Sequence, residues 1–310
     1  MQKKYCIPTI FVPLLLLSGA SQAEMEWGEW ILDPSLQWQY QDNLNYSAYD
    51  EDELSDNLLQ LEIVAGRILQ LTDFTRASFT VGVQTSFYQD YDDLNNSSVT
   101  AGVSVQHKFG TGPEKPWVRP ELFYTYANYS DSIRSDSLLQ GGTADLRTGD
   151  TLTVGVMAGK RVNDRLDINA SVHYHDRDGK SGPVIVPGIS ADVFEQQGWT
   201  LGLNGNYLLT SSWLLSAGYK YYNGDMDSSC TPDNVGKVFE NATVNAITLD
   251  NVFGGCVYRL DGRANMLSLD LGYAIGQHSS LNLGVSYQAG SADDLDYSNT
   301  SVQASYMYSY

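Results

Sequence analysis

The sequence predicts an all-β protein, a transmembrane antiparallel up-and-down β-barrel of about twelve strands with short turns at one end and long loops at the other. Three observations predict it. Segments in which apolar and polar residues alternate recur along the whole chain, and a period of two belongs to an extended strand. The connections between these segments alternate between brief turns and long polar stretches. An export leader stands in front, where Lys3 and Lys4 precede the apolar run 10–17 and small residues ending in Ser21, Gln22 and Ala23.

The elements follow in order. The apolar core of the leader is too short to cross a bilayer as a helix, and no cysteine adjoins the expected cut after Ala23. Neither an inner-membrane anchor nor a lipoprotein is therefore indicated. The chain divides into a signal peptide, 1–23, and a single barrel domain, 24–310. Past the leader no apolar run approaches the ~18 residues of a spanning helix, so a membrane fate must use strands. Strands are predicted at 35–41, 58–69, 76–88, 99–109, 117–127, 151–161, 166–175, 199–209, 213–222, 266–275, 281–289 and 300–310, each rich in β-branched, aromatic or glycine positions. The last is the clearest: Val302, Ala304, Tyr306, Tyr308 and Tyr310 share one face, and Ser301, Gln303, Ser305 and Ser309 the other. One face suits lipid and the other water.

Brief connections include 162–165, 210–212 and 276–280. The long ones are 42–57, 89–98, 128–150, 176–198, 223–265 and 290–299. With both termini on the periplasmic side, short periplasmic turns and long extracellular loops account for this sorting. A soluble β-sandwich has no reason to sort its loop lengths.

The chain carries 37 acidic and 18 basic residues, a formal net charge of −19, or −21 once Lys3 and Lys4 leave with the leader. Such acidity argues against nucleic acid as a partner. The acids gather in the long connections: Asp50, Glu51, Asp52, Glu53 and Asp56 in the first, Asp90, Asp92 and Asp93 in the second, Asp293, Asp294 and Asp296 in the last. They read as solvated loop charge; the alternative is binding of divalent cations and, through them, lipopolysaccharide phosphates. Cys6 leaves with the leader. Cys230 and Cys256 lie in the longest connection and are expected to form a disulfide that restrains a mobile external segment.

The face opposite the apolar one is dominated by small neutral polar residues, such as Gln37, Gln39, Ser78, Thr80, Ser104, Asn204, Asn206, Ser268 and Ser286. The charged or titratable lumen-lining candidates are Glu62, Arg119, Glu121, Asp167, His173, Lys220 and Asp270. A barrel of about twelve strands lies between small barrels filled by their own side chains and wide open channels. Two outcomes stay open: a watery passage, or a salt-bridged plug for which Asp270 and Lys220 on neighbouring strands are the candidate pair. On the outward face Trp38, Tyr40, Phe79, Phe87, Tyr124, Tyr126, Trp199, Tyr207, Trp213, Tyr219, Tyr273 and Tyr287 suit lipid and its interfaces.

Through its leader, its alternating segments, its sorted connections and a last strand ending Tyr306, Met307, Tyr308, Ser309, Tyr310, the chain resembles the Gram-negative outer-membrane β-barrel proteins. The resemblance covers nearly all of 24–310. It implies an outer-membrane location among outer-membrane lipids and lipopolysaccharide. It also implies an assembly signal in Tyr306, Tyr308 and Tyr310, read by the barrel-assembly machinery, although phenylalanine is the commoner final residue. It implies no activity, because similar barrels serve as pores, lipases, proteases, adhesins and tethers.

For catalysis the best candidates are His173 and His175 with Asp176 and Asp178, where a strand enters a long connection. No further residue completes a hydrolytic set around them, since His107 lies on another strand and His278 in a periplasmic turn. Alternation puts His173 and His175 on one lumenal face, which could suit a metal, but no third ligand is evident. The reading is therefore non-enzymatic, with no cofactor and no metal: a porin-like channel for passive passage of small hydrophilic solutes. A structural or surface-interaction barrel with a closed lumen is the alternative, and a hydrolase at the rim the third.

Overall fold

A computed structural model describes residues 26–129, 146–179, 191–231, 233–238, 242–247, 250 and 252–309. The expected leader, 1–23, and Tyr310 of the expected assembly signal lie outside these residues. The strands are β1 (Glu26–Gln41), β2 (Asp56–Thr72), β3 (Thr75–Tyr88), β4 (Asn96–Lys108), β5 (Trp117–Tyr129), β6 (Gly149–Asn163), β7 (Leu166–Gly179), β8 (Gln196–Leu208), β9 (Trp213–Cys230), β10 (Val244–Ile247), β11 (Cys256–Ile275), β12 (Ser279–Ala292) and β13 (Leu295–Tyr308). A single helical turn, α1 (Val235–Val238), follows β9.

Sequential neighbours pair antiparallel, β13 pairs with β1, and β9 pairs with β11, so twelve strands close into an up-and-down barrel. The short β10 lies outside the ring and adds to β11 above the end of β12. Closure pairs the strands on both sides along most of the wall, which is how a wall in lipid satisfies its backbone without water.

The outward face is apolar and exposed: Leu61, Ile63, Val81, Val83, Leu201, Leu203, Leu267 and Leu269 all point away from the lumen, and Leu283 is 63% exposed. A soluble barrel would invert this arrangement. The band is the surface that meets lipid. Among the described residues no helix is long and apolar enough to cross a membrane.

Each predicted strand is present, but β1 starts at Glu26 and not at 35, and the outer ends of several others run further than the pattern indicated. β9 and β11 continue into the stretch expected as a loop, and β12 and β13 continue until only Asp293 and Asp294 separate them, with Asp293 at φ 49°. The connection expected at 290–299 is thus a tight turn. Above the bilayer a strand's outer face no longer meets lipid, so the alternation fades while the ladder persists.

The buried apolar core sits in a cap on the extracellular end. One cluster joins Cys230, Cys256, Tyr258 and Leu260 to Ala292, Leu295, Tyr297 and Val238 of α1. A second joins Val193 and Phe194 to Val257. A third joins Val252 to Leu94, with Leu44, Tyr88, Tyr91 and Phe253 packed against it. The third cluster fixes the path of the longest loop. β9 stands six positions round the ring from β3, and β11 six from β4, in either direction, yet Phe253 meets the Tyr91 ring edge-on at 5.6 Å. The loop therefore crosses the mouth from one rim to the opposite one.

Two expectations about this region are corrected. Cys230 and Cys256 do form a disulfide, with Cα atoms 5.1 Å apart, but both are buried within the cap and face each other across the ladder. They staple the outer end of a packed hairpin, at positions expected to lie in a loop. The loop acids are not all solvated. Asp52, Asp56 and Asp93 are buried, and Asp52 Oδ2 accepts the Thr231 N–H (3.1 Å) and the Asn234 Nδ2 donor (2.8 Å). Asp56 accepts the backbone N–H groups of Asp90 (3.2 Å) and Tyr91 (3.2 Å). These carboxylates satisfy loop backbone that would otherwise be stranded.

Candidate functional site

Strand parity builds the inner wall, and the register then brings residues from adjacent strands into contact. Glu121 on β5, Gly155 on β6 and His173 on β7 lie in one row. His173 Nε2 donates to Glu121 Oε1 (2.6 Å), and Arg119 Nε donates to Glu121 Oε2 (3.0 Å). The bond passes over Gly155, where an added Cβ would lie 2.1 Å from the His173 ring. Asp270 on β11, Gly284 on β12 and Gln303 on β13 repeat the device. Gln303 Nε2 donates to Asp270 Oδ1 (2.9 Å), and a Cβ on Gly284 would lie 2.1 Å from that oxygen. In both rows a missing side chain on the middle strand lets its two neighbours meet.

The remaining candidates fall into place on the same wall. Asp167 pairs with Arg161 at the periplasmic end (3.1 Å), both half-exposed, where such a pair contributes little. Glu62 faces the lumen between Ser35 and Gln84. Lys220 lies opposite Gly202 on one side and Met266 on the other, while Asp270 lies opposite Ser216. The offset keeps Lys220 and Asp270 apart. The pairing considered for a plug is absent among the described residues.

His175 shares a hydrogen bond with Thr153 Oγ1 (3.1 Å), and its ring stacks on His173 at 6.1 Å. Both imidazoles face inward, away from the lipid surface. Parity also turns Trp117, Phe123 and Met157 inward, bulk that a polar-lining reading passed over. Arg119 stacks over Trp117 at 5.7 Å and donates to Met157 Sδ (2.9 Å). The signal was available, since Trp117 and Phe123 share the parity of Arg119 and Glu121.

Beneath the cap lies a cavity of about 460 Å³, walled by β6 to β9, β11 and β12 and reached by Tyr46 from the first loop. Above it a smaller space of about 200 Å³ lies among cap residues, and Tyr46, Arg177 and Asp227 border both. Tyr46 adopts φ 49°, and its carbonyl accepts the Ser228 hydroxyl (2.6 Å). The cap is tied down by a buried bidentate pair, Arg147 to Asp250 (3.2 and 3.1 Å), with the guanidinium over the Phe194 and Phe253 rings. Two desolvated charges locked to each other hold the loops rigidly; removing either would strand the other. Burial pushes the phenols of Tyr258 and Tyr297 above their ordinary value of 10.0, because a phenolate there would be cut off from water.

No family model matches the sequence, and no curated protein matches it. Solved structures do resemble it. An outer membrane channel from Pseudomonas putida F1 is 9% identical, with 94% of this chain and 99% of that one aligned and a TM-score of 0.53. The KdgM porin, solved in complex with disordered oligogalacturonate, is 10% identical over 90% of this chain and 99% of its own, with a TM-score of 0.45. The likeness to the first establishes the fold, that of the β-barrels of Gram-negative outer membranes.

Proposed function

We propose that this protein is a porin-like channel through which small hydrophilic solutes cross the outer membrane passively, its outer mouth narrowed by the folded cap. One observation carries the reading. The charges of β5 to β7 are engaged along their own wall, Glu121 by Arg119 and His173 and Asp167 by Arg161, and a void of about 460 Å³ remains under the cap. A plug would need bridges from one side of the lumen to the other. Neutral Gln, Ser, Thr and Asn along the wall would replace part of a solute's hydration, and the charges Glu62, Arg119, Glu121, Asp167, Lys220 and Asp270, with His173 beside Glu121, would set ionic preference.

Reconstitution of the folded chain in planar bilayers tests this directly. Stepwise conductance is expected, with Glu121→Gln or Lys220→Ala shifting ion selectivity. Folded protein that gives no steps overturns the channel.

The cap that crosses the mouth favours a second reading, a closed barrel whose external surface binds a partner, and a silent bilayer is its signature. The rim-hydrolase reading requires turnover of lipid or peptide that disappears in His175→Ala. Wild-type protein inert on both substrates ends it.

A further inference from the structure

The charges around the cavity under the cap are unevenly satisfied. Asp225 Oδ2 accepts the Gln197 N–H (3.0 Å), and Arg259 Nε lies 3.8 Å from Oδ1. Asp227 accepts a hydrogen bond from Gln196 Nε2. The cations facing the same space are not neutralised in this way. Arg177 Nη2 donates to the carbonyl oxygen of Arg147 (2.7 Å), which satisfies a donor and leaves the charge. Lys220 has neither a hydrogen bond nor an ion pair among the described residues, because its row neighbours are Gly202 and Met266. The lining thus holds two cations, Lys220 and Arg177, and two carboxylates, Asp225 and Asp227; each carboxylate is already engaged by a neighbour, whereas the Lys220 ammonium is left to whatever enters the cavity. That unpaired ammonium faces the lumen of a chain whose formal net charge is −19.

We infer that this cavity binds small hydrophilic solutes bearing a carboxylate, with Lys220 and Arg177 as the groups that recognise it. The inference rests on the channel reading and names the solute class that the channel prefers. A cavity of about 460 Å³ lies in the size range of small-molecule sites. Gln196, Thr200 and Gln288 around it supply neutral donors and acceptors for hydroxyl groups. Arg177 borders both this cavity and the smaller one above, so an anion coming through the cap meets Arg177 first and Lys220 second. Carboxylate contacts of this kind are charge-assisted hydrogen bonds, stronger than their neutral counterparts.

Gluconate and sorbitol share a carbon chain and their hydroxyl pattern and differ in the carboxylate, so the pair isolates the charge. Calorimetric titration of the folded chain in detergent should show gluconate binding at least about tenfold tighter than sorbitol, the worth of one charge-assisted contact. Lys220→Gln should abolish that preference and Lys220→Arg should retain it. Lys160→Gln, which removes a cation from the outward face of β6, should leave it unchanged. Heat-modifiable gel migration reports that each variant is folded. Equal binding of the two probes by wild type, or a preference that survives in folded Lys220→Gln, overturns the proposal. Binding is read in detergent, so a silent bilayer with carboxylate-selective binding removes the channel and keeps the site. Conductance with no discrimination between the probes does the reverse.

Discussion

At the scale of single residues the inner wall depends on two positions where a side chain is missing. Gly155 and Gly284 let Glu121 reach His173 and Asp270 reach Gln303 across an intervening strand. Gly155→Ala should push the His173 ring aside, break its bond to Glu121 and cost roughly 1–3 kcal/mol, since Glu121 is buried and would lose one of its two hydrogen-bond donors. Denaturant titration of the folded protein measures the loss, and an unchanged midpoint would show that the ring had room to move. The buried phenols of the cap give a second prediction, with its sign set by burial. Their pKa values are raised on folding, so the stabilisation is intact below pH 10.0 and drains away as the pH climbs beyond it. A spectrophotometric phenolate titration should show a class of tyrosines that ionises late and only as the cap opens. Little of this was legible beforehand. Alternation assigns a residue to a face, and it located Glu121 and His173 on the lumenal one, but only the register across three strands makes them partners.

Strands within the bilayer were legible for a simple physical reason: lipid on one side and water on the other impose a period of two. Above the bilayer both faces are wet or packed, and there β9, β11, β12 and β13 ran on unseen through sequence that resembled loop. The buried role of Asp52 and Asp56 was hidden similarly, since an acid that caps loop backbone looks like any other acid in a loop. The hairpin of β9 and β11 is the element on which the cap is built, and its disulfide closes a sequence separation of 26 residues. Replacing Cys230 and Cys256 together by serine should cost about 3 kcal/mol of cap stability in the chain-entropy picture. The twelve-strand ladder needs neither cysteine. Limited proteolysis should therefore cut the double variant within 231–255 while the heat-modifiable gel shift of the barrel is kept. Simultaneous loss of the shift would mean that cap and barrel form one cooperative unit.

For the whole molecule the question is whether ring and cap are separable. The ring is closed by backbone hydrogen bonds between neighbouring strands, with β9 on β11 and β13 on β1, and only the outer ends of β9, β11, β12 and β13 run up into the cap. The cap is closed by side chains, through its three apolar clusters and the Arg147–Asp250 pair. A strand ladder in lipid has no alternative partner for its backbone, whereas loops packed over an aqueous lumen always have water. The two parts should then respond differently to shortening of the longest loop. A variant in which residues 231–255 are replaced by an Asn-Gly turn that joins β9 directly to β11 keeps every strand pair of the ring and removes the segment that crosses to Leu94 and Tyr91. Its single-channel conductance in planar bilayers should rise several-fold over wild type, because the resistance of a pore is dominated by its narrowest part. A conductance equal to that of the intact chain would place the constriction lower, at Trp117, Arg119 and Met157, and would make the cap a surface feature with no part in passage.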